Sequence, residues 1–504
     1  MTSSELERLF HADAAFGPGV CRIPGNAELS FASITEDSRA VAEGTLFVAA
    51  QGEQADGHDF VPDAKARGAV GVLGELSGID ELAGLPYITV PHARRALGIV
   101  AHALVGDPSR AMTVVGVTGT NGKSSTVALI QHVFEACDLC AANFGTLGYA
   151  LDGETLSASH TTPSGEALAK LFGKARDAGC THVSMEISSH ALEQERVAGI
   201  DFDVGAFTNL TQDHLDYHGS LEAYRTSKLR LFEGIQGPDR FTVVNRADPA
   251  ADHFINASAA PCVTFGEGGD CVAVNISHEL QQTRFDLQSP WGEAQINLSL
   301  LGLHNVANAL CAITVCGGLG LPLEGIVSGI ESLANVPGRF ERIDEGQDFQ
   351  VIVDYAHTED GLRNVLHAAR ELCSKRVLVV FGCGGDRDRG KRPKMAAAVA
   401  ELADFSVLTS DNPRSEDPER ILVDVERGML SANKEKECDY LVIADREEAI
   451  TRAIAMAKPG DFVMIAGKGH EDYQIIGTDR IHFDDREVAR TVLSEMSARS
   501  SGGK

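Results

Sequence analysis

The sequence predicts an α/β protein of three domains, and three observations carry that prediction. The chain has 504 residues, which at roughly 100–200 residues per domain calls for about three units. Short β-branched apolar runs alternate with Ala- and Glu-rich helical stretches, the pattern of parallel sheets wrapped by helices. Two turn-rich stretches, Asp107-Pro108 and Asn335-Val-Pro-Gly-Arg339, interrupt the alternation. They set the expected limits at 1–108, a small α/β domain; 109–335, a larger parallel-sheet domain; and 336–504, a doubly wound domain.

Each element follows from its residues. In the first domain the runs 45–50 (TLFVAA), 69–73 (AVGVL) and 86–90 (PYITV) read as strands, with Ala64 and Ala66 suiting a helix between two of them. After Asp107-Pro108 the run 113–117 leads into a Gly-rich turn and then the helical stretch 124–136. That order of strand, glycine loop and helix opens a nucleotide-binding unit. Strands follow at 182–187 and 203–207, and the helical stretch 303–319 closes the unit. Beyond residue 339 the strands 349–353, 376–381, 405–409 and 461–465 alternate with helices such as 393–402. In this Rossmann-like pattern functional loops follow the strand ends.

Composition narrows the function. The formal charge is −28, which argues against a nucleic-acid partner, since such proteins present a basic face. An anionic ligand then needs local cations, backbone N–H groups and metal ions. The 11 cysteines are odd in number and show no disulfide spacing, so free thiols in a reducing cytoplasm are expected. Cys137 and Cys140 form a C-x-x-C with no second pair nearby, and read as core or helix residues rather than a metal site. The opening MTSSELERLF lacks a signal-peptide pattern, and no apolar run approaches the roughly 18 residues of a membrane span. A cytoplasmic monomer without stable membrane association is expected.

Gly116-Val-Thr118-Gly119-Thr120-Asn121-Gly122-Lys123-Ser124 is the strongest local signal. Its glycines let successive N–H groups converge on a phosphate. Lys123 reaches the β/γ-phosphates, the Ser124 hydroxyl suits Mg²⁺, and the helix N-terminus adds partial positive charge. The general Walker pattern wants glycine where Val117 stands, so a glycine-rich turn with an incidental lysine is the competing reading.

The variant G-x-x-G-T-N-G-K-S resembles the Mur ligases and their folylpolyglutamate synthetase relatives. Met185-Glu-Ile-Ser-Ser-His190, Asn209-Leu-Thr-Gln-Asp-His-Leu-Asp216, Leu303-His-Asn-Val-Ala-Asn308, Pro337-Gly-Arg339, Asp354-Tyr-Ala-His357 and Ser410-Asp-Asn-Pro-Arg414 stand in the family's order. The resemblance implies a three-domain Mur ligase architecture: a UDP-binding domain, a central P-loop ATPase domain and a Rossmann-like domain. It also implies ATP and Mg²⁺ as cofactors. A carboxylate attacks the γ-phosphate and an amine displaces phosphate from the acyl phosphate. Because two anions meet, cations and metals matter more than a strong base.

By resemblance Glu186 is a Mg²⁺ ligand beside Ser124, and His214 and a carbamylated Lys228 hold a second ion. Taken alone, Glu186 reads as a solvated loop carboxylate, His214 as a structural histidine and Lys228 as a solvated helix lysine. His304, Asn305 and Arg339 resemble adenine, phosphate and hinge contacts. Asp354 and His357 belong to a loop closing over the nucleotide.

The first domain carries Thr35-Glu36-Asp-Ser38-Arg39 and Gly52-Glu53-Gln54-Ala55, which resembles the UDP-binding domain of the UDP-MurNAc-tripeptide synthetases. Glu36, where other members often have an apolar residue, Ser38, Glu53, Gln54 and Ala55 are then nucleotide contacts. His160, Thr161, Thr162, Ser188, Gln194 and Arg196 are implied contacts for UDP-MurNAc-L-Ala-D-Glu. Arg196 is suited to a bidentate carboxylate contact, with a helix-surface salt bridge as the bland alternative. Asp411-Asn412-Pro413-Arg414 is the form that the family associates with meso-diaminopimelate. Arg414 would pair the distal carboxylate that lysine lacks and repel lysine's ammonium. Arg387 supplies another cation, and Gly467 and Glu471 would hold the distal ammonium. Residues 386–392 remain readable as a solvated charged loop. A lysine-adding or polyglutamate ligase and a non-ligating P-loop ATPase are the alternatives. Arg414 disfavours the lysine enzyme, and the first domain disfavours the polyglutamate enzyme.

Overall fold

The computed structural model describes residues 1–13, 16, 21–24, 29–52, 55–151, 153–158, 160–278 and 282–501. Glu53 and Gln54 therefore lie outside the described residues. Three sheets dominate, each with helices packed on it, as the alternation of strand and helix signals predicts. The first is five-stranded and parallel except at one edge, in the order Ser33–Thr35, Thr45–Ala49, Ala69–Gly74, Leu85–Thr89, Glu81–Leu82. The helix Ala93–Leu104 covers it and shares its apolar core.

The central sheet has eight strands. Six are parallel, in the order Cys262–Phe265, Phe241–Asn245, Val204–Phe207, Thr113–Thr118, His182–Glu186, Ala141–Gly145. Gly148–Leu151 and Glu154–Leu156 continue it antiparallel. Thr113–Thr118 lies in the middle and is buried but for its first residue. That burial explains its unbroken β-branched run, because a central parallel strand is covered on both faces. The helix Leu303–Gly318 is buried almost all round, which fits its apolar residues on every face.

A three-stranded antiparallel sheet, Val272–His278, Thr283–Ser289 and Gly292–Leu298, is joined to the same core. It is not among the strands predicted from the sequence. The third large sheet has six strands, in the order Glu341–Arg342, Gln350–Asp354, Phe462–Ala466, Val377–Cys383, Phe405–Ser410, Tyr440–Val442, parallel except at the first pair. The hairpin Tyr473–Ile476 with Asp479–His482 stands beside it. All 11 cysteines are free thiols. No helix among the described residues is long and apolar enough to cross a membrane.

Candidate active site

The phosphate loop leaves the carboxyl end of Thr113–Thr118 and enters the helix Lys123–Ala136. Gly119 has φ +151° and Gly122 φ +85°. A Cβ at Gly119 would sit 1.9 Å from Thr208 Oγ1, and one at Gly122 2.3 Å from Asn308 Oδ1. Neither position accepts a side chain, so glycine is dictated by space as well as by φ. The Lys123 ammonium donates to the carbonyls of Gly119 and Thr120, both at 2.8 Å. Burial pushes its pKa down while Glu186 pulls it back. Thr118 and Thr120 face inward: their hydroxyls donate to Ile187 and Thr211 carbonyls. The Thr120 N–H is also engaged, donating to the Asn209 carbonyl at 2.9 Å, so both residues shape the loop from within.

Glu186 is the last residue of its strand, not a loop residue, and is buried. Its carboxylate accepts from Thr146 N at 2.7 Å and Thr146 Oγ1 at 3.2 Å. Thr161 joins the same network at 3.0 Å from Thr146 Oγ1. The buried Thr162 hydroxyl ties the Glu186 carbonyl to Ser188 N, so Thr162 orients the strand end. Ser188 caps the short helix Ser189–Glu193.

His214 adopts φ +53°, and its Nε2 lies 3.4 Å from Asp213 Oδ2. Burial pushes the imidazole down to about 4, aided by Lys123, His357 and Lys228. Burial would raise the Asp213 carboxyl, but His214, His357 and Lys391 outweigh it and hold it low. Lys228 is 1 % exposed. Its amine donates to the Gly119 carbonyl at 2.8 Å and lies 4.4 Å over the Tyr224 ring. Burial, with Lys123 beside it, drives its pKa well below that of a free lysine. The solvated-helix reading of Lys228 is therefore wrong.

The third sheet reaches onto the loop. Arg339 donates to Ser124 Oγ at 3.1 Å and stacks on Tyr355 at 4.5 Å. Asp354 accepts from Phe340 N and Ala356 N, both at 2.7 Å, holding the turn that aims Arg339. Burial raises its pKa. His357 bonds the Tyr355 carbonyl through Nδ1 at 2.9 Å. Asn305 is buried, linking the Leu301 carbonyl and Asn308. Burial lowers the neighbouring His304 to about 4. A cavity of about 290 Å³ gathers Lys123, Ser124, Glu186, His304, Asn305 and Arg339 on its wall, with Asp213, His214 and His357 at one end.

A second, larger cavity of about 1680 Å³ shares Asp213, His214, Tyr355, His357 and Thr358 with the first. It runs from Gln51, Gly52, Ala55 and Arg94 past His160, Gln194 and Arg196 to the third sheet. Ser38 and Glu36 stand apart from its wall; Glu36 touches it only through Arg94, at 3.5 Å. The Arg196 guanidinium binds Gln194 Oε1 twice, at 3.0 and 2.7 Å, and the Thr162 carbonyl at 3.0 Å. It makes no ion pair among the described residues, so the surface salt-bridge reading fails.

At the far end Arg387 and Arg414 line the cavity, again without an ion pair among the described residues. Arg414 has φ +52° and donates to the Gly385 carbonyl at 2.8 Å. Its backbone pairs with Ile475 and Gly477 of the hairpin. Asn412 donates to Glu471 at 2.9 Å and accepts from Lys468 at 3.1 Å. A Cβ at Gly467 would meet Asp411 Oδ2 at 2.8 Å. Pro413 is buried against Gly385. The charged stretch 386–392 splits: Arg387 lines the cavity, while the buried Arg392 pairs with Glu416 and Asp424.

Three family models match the chain: "Mur ligase family, catalytic domain" over residues 30–104, "Mur ligase middle domain" over 117–316 and "Mur ligase, glutamate ligase domain" over 338–469. The UDP-N-acetylmuramoyl-L-alanyl-D-glutamate–2,6-diaminopimelate ligase of Geobacillus thermodenitrificans is 45 % identical over 480 residues, covering 94 % of this chain and 96 % of that protein. The chain belongs to the Mur ligase family. A solved structure of a UDP-N-acetylmuramoyl-L-alanyl-D-glutamate–2,6-diaminopimelate ligase is 34 % identical with a TM-score of 0.66, covering 93 % of this chain and 95 % of that one. A Mycobacterium tuberculosis folylpolyglutamate synthase, 19 % identical with a TM-score of 0.62, covers 81 % of this chain and 95 % of its own, and shares the fold.

As a Mur ligase the chain is an ATP-dependent amide-bond-forming enzyme. Several residues of its cavities have no counterpart in the sequence reading. Asp213 lines both cavities, and no local signal sets it apart from its neighbour His214. Thr146 and Asp360, also on the cavity walls, are single polar residues in ordinary local contexts. Only the packing of distant segments gives them partners.

Proposed function

We propose that this Mur ligase joins meso-2,6-diaminopimelate to UDP-MurNAc-L-Ala-D-Glu, using ATP, in the cytoplasm, as a step in making peptidoglycan precursor. The observation that carries the reading is the pair of joined cavities. The phosphate-loop cavity and the long cavity meet at Asp213, His214 and His357, where a γ-phosphate and a substrate carboxylate would come together. We assign the domains as 1–108 for the UDP-sugar peptide, 109–335 for ATP and 336–504 for the amino acid.

Ser124, Glu186 and the phosphates of ATP form an oxygen donor set that fits Mg²⁺. No cluster of three or more His, Cys, Asp or Glu side chains spaced for a metal occurs among the described residues. When bound, magnesium neutralises charge on the transferred phosphoryl group. Burial disfavours the charged form of the Lys228 amine, the direction that carbamylation needs.

The chain's own groups perform the rest. Loop N–H groups and Lys123 orient the triphosphate, and Arg339 braces Ser124. Arg196, lacking a protein carboxylate, receives one from the dipeptide. The substrate carboxylate then attacks the γ-phosphorus and ADP leaves. The acceptor amine, positioned by Arg414 and Glu471, attacks the acyl carbon and phosphate leaves. Enclosure by all three sheets keeps the acyl phosphate from water.

Phosphate release with UDP-MurNAc-L-Ala-D-Glu, comparing meso-diaminopimelate with L-lysine, tests the reading. Release stimulated by diaminopimelate alone is expected. Equal turnover with lysine, or release needing no amino acid, overturns it.

A further inference from the structure

Lys468 is 0 % exposed and lies just behind the wall of the long cavity. Its ammonium is 3.1 Å from Asn412 Oδ1, 3.4 Å from Glu471 Oε2 and 3.8 Å from Asp411 Oδ1, and 5.6 Å above the Tyr473 ring. All three polar partners face the cavity. A buried ammonium persists only when it is paired, so this one is built in with its carboxylates. The nearby buried cation Arg446 is already matched by Asp485 at 2.6 Å.

The charges around the acceptor's far end therefore cancel. Asp411 and Glu471 supply two negative charges, Lys468 and Arg414 two positive ones, and the neighbouring Arg387 and Asp388, which also line this end, add one of each. A distal group carrying both an ammonium and a carboxylate is also neutral, whereas lysine's distal end carries a lone positive charge. Inside a low-dielectric site an unmatched unit charge is costly. We propose that Lys468 is a specificity-determining residue: by cancelling one of the two cavity carboxylates, it matches the site to a zwitterionic acceptor end and mismatches it to a purely cationic one. Arg414 recognises the distal carboxylate directly, and Lys468 acts through Asp411, Asn412 and Glu471. The inference rests on the acceptor site assigned under Proposed function.

The test measures kcat/KM for meso-diaminopimelate and L-lysine in the full-length wild-type enzyme, Lys468→Met, Lys468→Arg and Glu471→Gln. Lys468→Met leaves the site net negative, and its diaminopimelate-to-lysine ratio should fall about tenfold or more. Lys468→Arg restores the charge and should keep the ratio within about threefold of wild type. Glu471→Gln shifts the charge the other way and should raise the ratio. A merely structural lysine would depress both acceptors alike. An unchanged ratio in folded Lys468→Met overturns the proposal, as does a Glu471→Gln shift in the same direction as Lys468→Met. If thermal melting shows that Lys468→Met does not fold, an unchanged or lowered ratio in Glu471→Gln overturns it. A wild-type enzyme that ignores diaminopimelate would instead refute the reading on which the inference rests.

Discussion

The Asp360 carboxylate accepts a hydrogen bond from the Asn121 side chain at 3.1 Å, linking the helix Glu359–Leu372 to the phosphate loop 239 residues away along the chain. The same oxygen accepts from Thr211 Oγ1 at 2.9 Å and Asn364 Nδ2 at 3.1 Å. The third sheet is thus tied to the loop from two sides, by Asp360 on Asn121 and by Arg339 on Ser124. Hydrogen bonds to a charged group contribute about 1.5–3 kcal/mol each when made well. Asp360→Ala should therefore lower kcat/KM for ATP about tenfold with little change in melting temperature. Asp360→Asn, which keeps an acceptor oxygen, should recover part of it. Wild-type ATP kinetics in Asp360→Ala would show that the bridge is incidental.

Lys228 offers a second test. Its amine is buried at the Gly119 carbonyl, and its lowered pKa suits reaction with carbon dioxide. Lys228→Ala should abolish ligation, and short-chain carboxylates should restore part of the activity by supplying the missing acidic group. A fully active alanine variant would dispose of the carbamate.

These two residues also mark how far the sequence could be read. The phosphate loop, the central strands and the helix after them were legible because their signals are local. A β-branched run, glycines and an amphipathic or apolar period all act within a few residues. The antiparallel sheet from Val272 to Leu298 was not. Its first strand is mostly half-exposed and its register shifts between Val274 and Ser277, so alternation is blurred. Glu186, His214 and Lys228 stand out in the sequence only through their motifs. Nothing around Lys228 announces that it is buried, because that follows from the helix Leu221–Glu233 packing beneath a loop more than a hundred residues earlier. Asp360 and Lys468 share this limit: each is one charged side chain, given meaning by a partner that the fold brings to it.

Arg414 concerns the acceptor alone. Its guanidinium lines the long cavity and is steered by one bond to the Gly385 carbonyl. Arg414→Ala should raise the KM for meso-diaminopimelate about a hundredfold, the scale of a lost bidentate charged contact, and leave the KM for ATP near wild type. Lysine at this position should rescue poorly, since an ammonium cannot reproduce the planar fork. Equal damage to both KM values would remove the residue from acceptor recognition.

His102 makes a prediction about pH and stability rather than catalysis. It is 0 % exposed, lies on the helix Ala93–Leu104 and meets Phe172 edge-on at 5.7 Å. Neither ring nitrogen has a hydrogen-bond partner among the described residues, and burial lowers its pKa to about 4. The unfolded chain binds a proton near the ordinary value of about 6.5, while the folded chain stays neutral until about 4. The stability is fully present above pH 6.5 and drains away as pH falls toward 4, because only the unfolded state takes up the proton. One such group contributes a slope of about 1.4 kcal/mol per pH unit in that window. Replacing it by phenylalanine removes the titration and keeps the apolar contact with Phe172. Denaturant titrations at pH 7, 6, 5 and 4.5 should show the acid-side loss of stability reduced by one proton's slope in His102→Phe. Parallel curves for the two proteins would mean that His102 titrates normally in the fold.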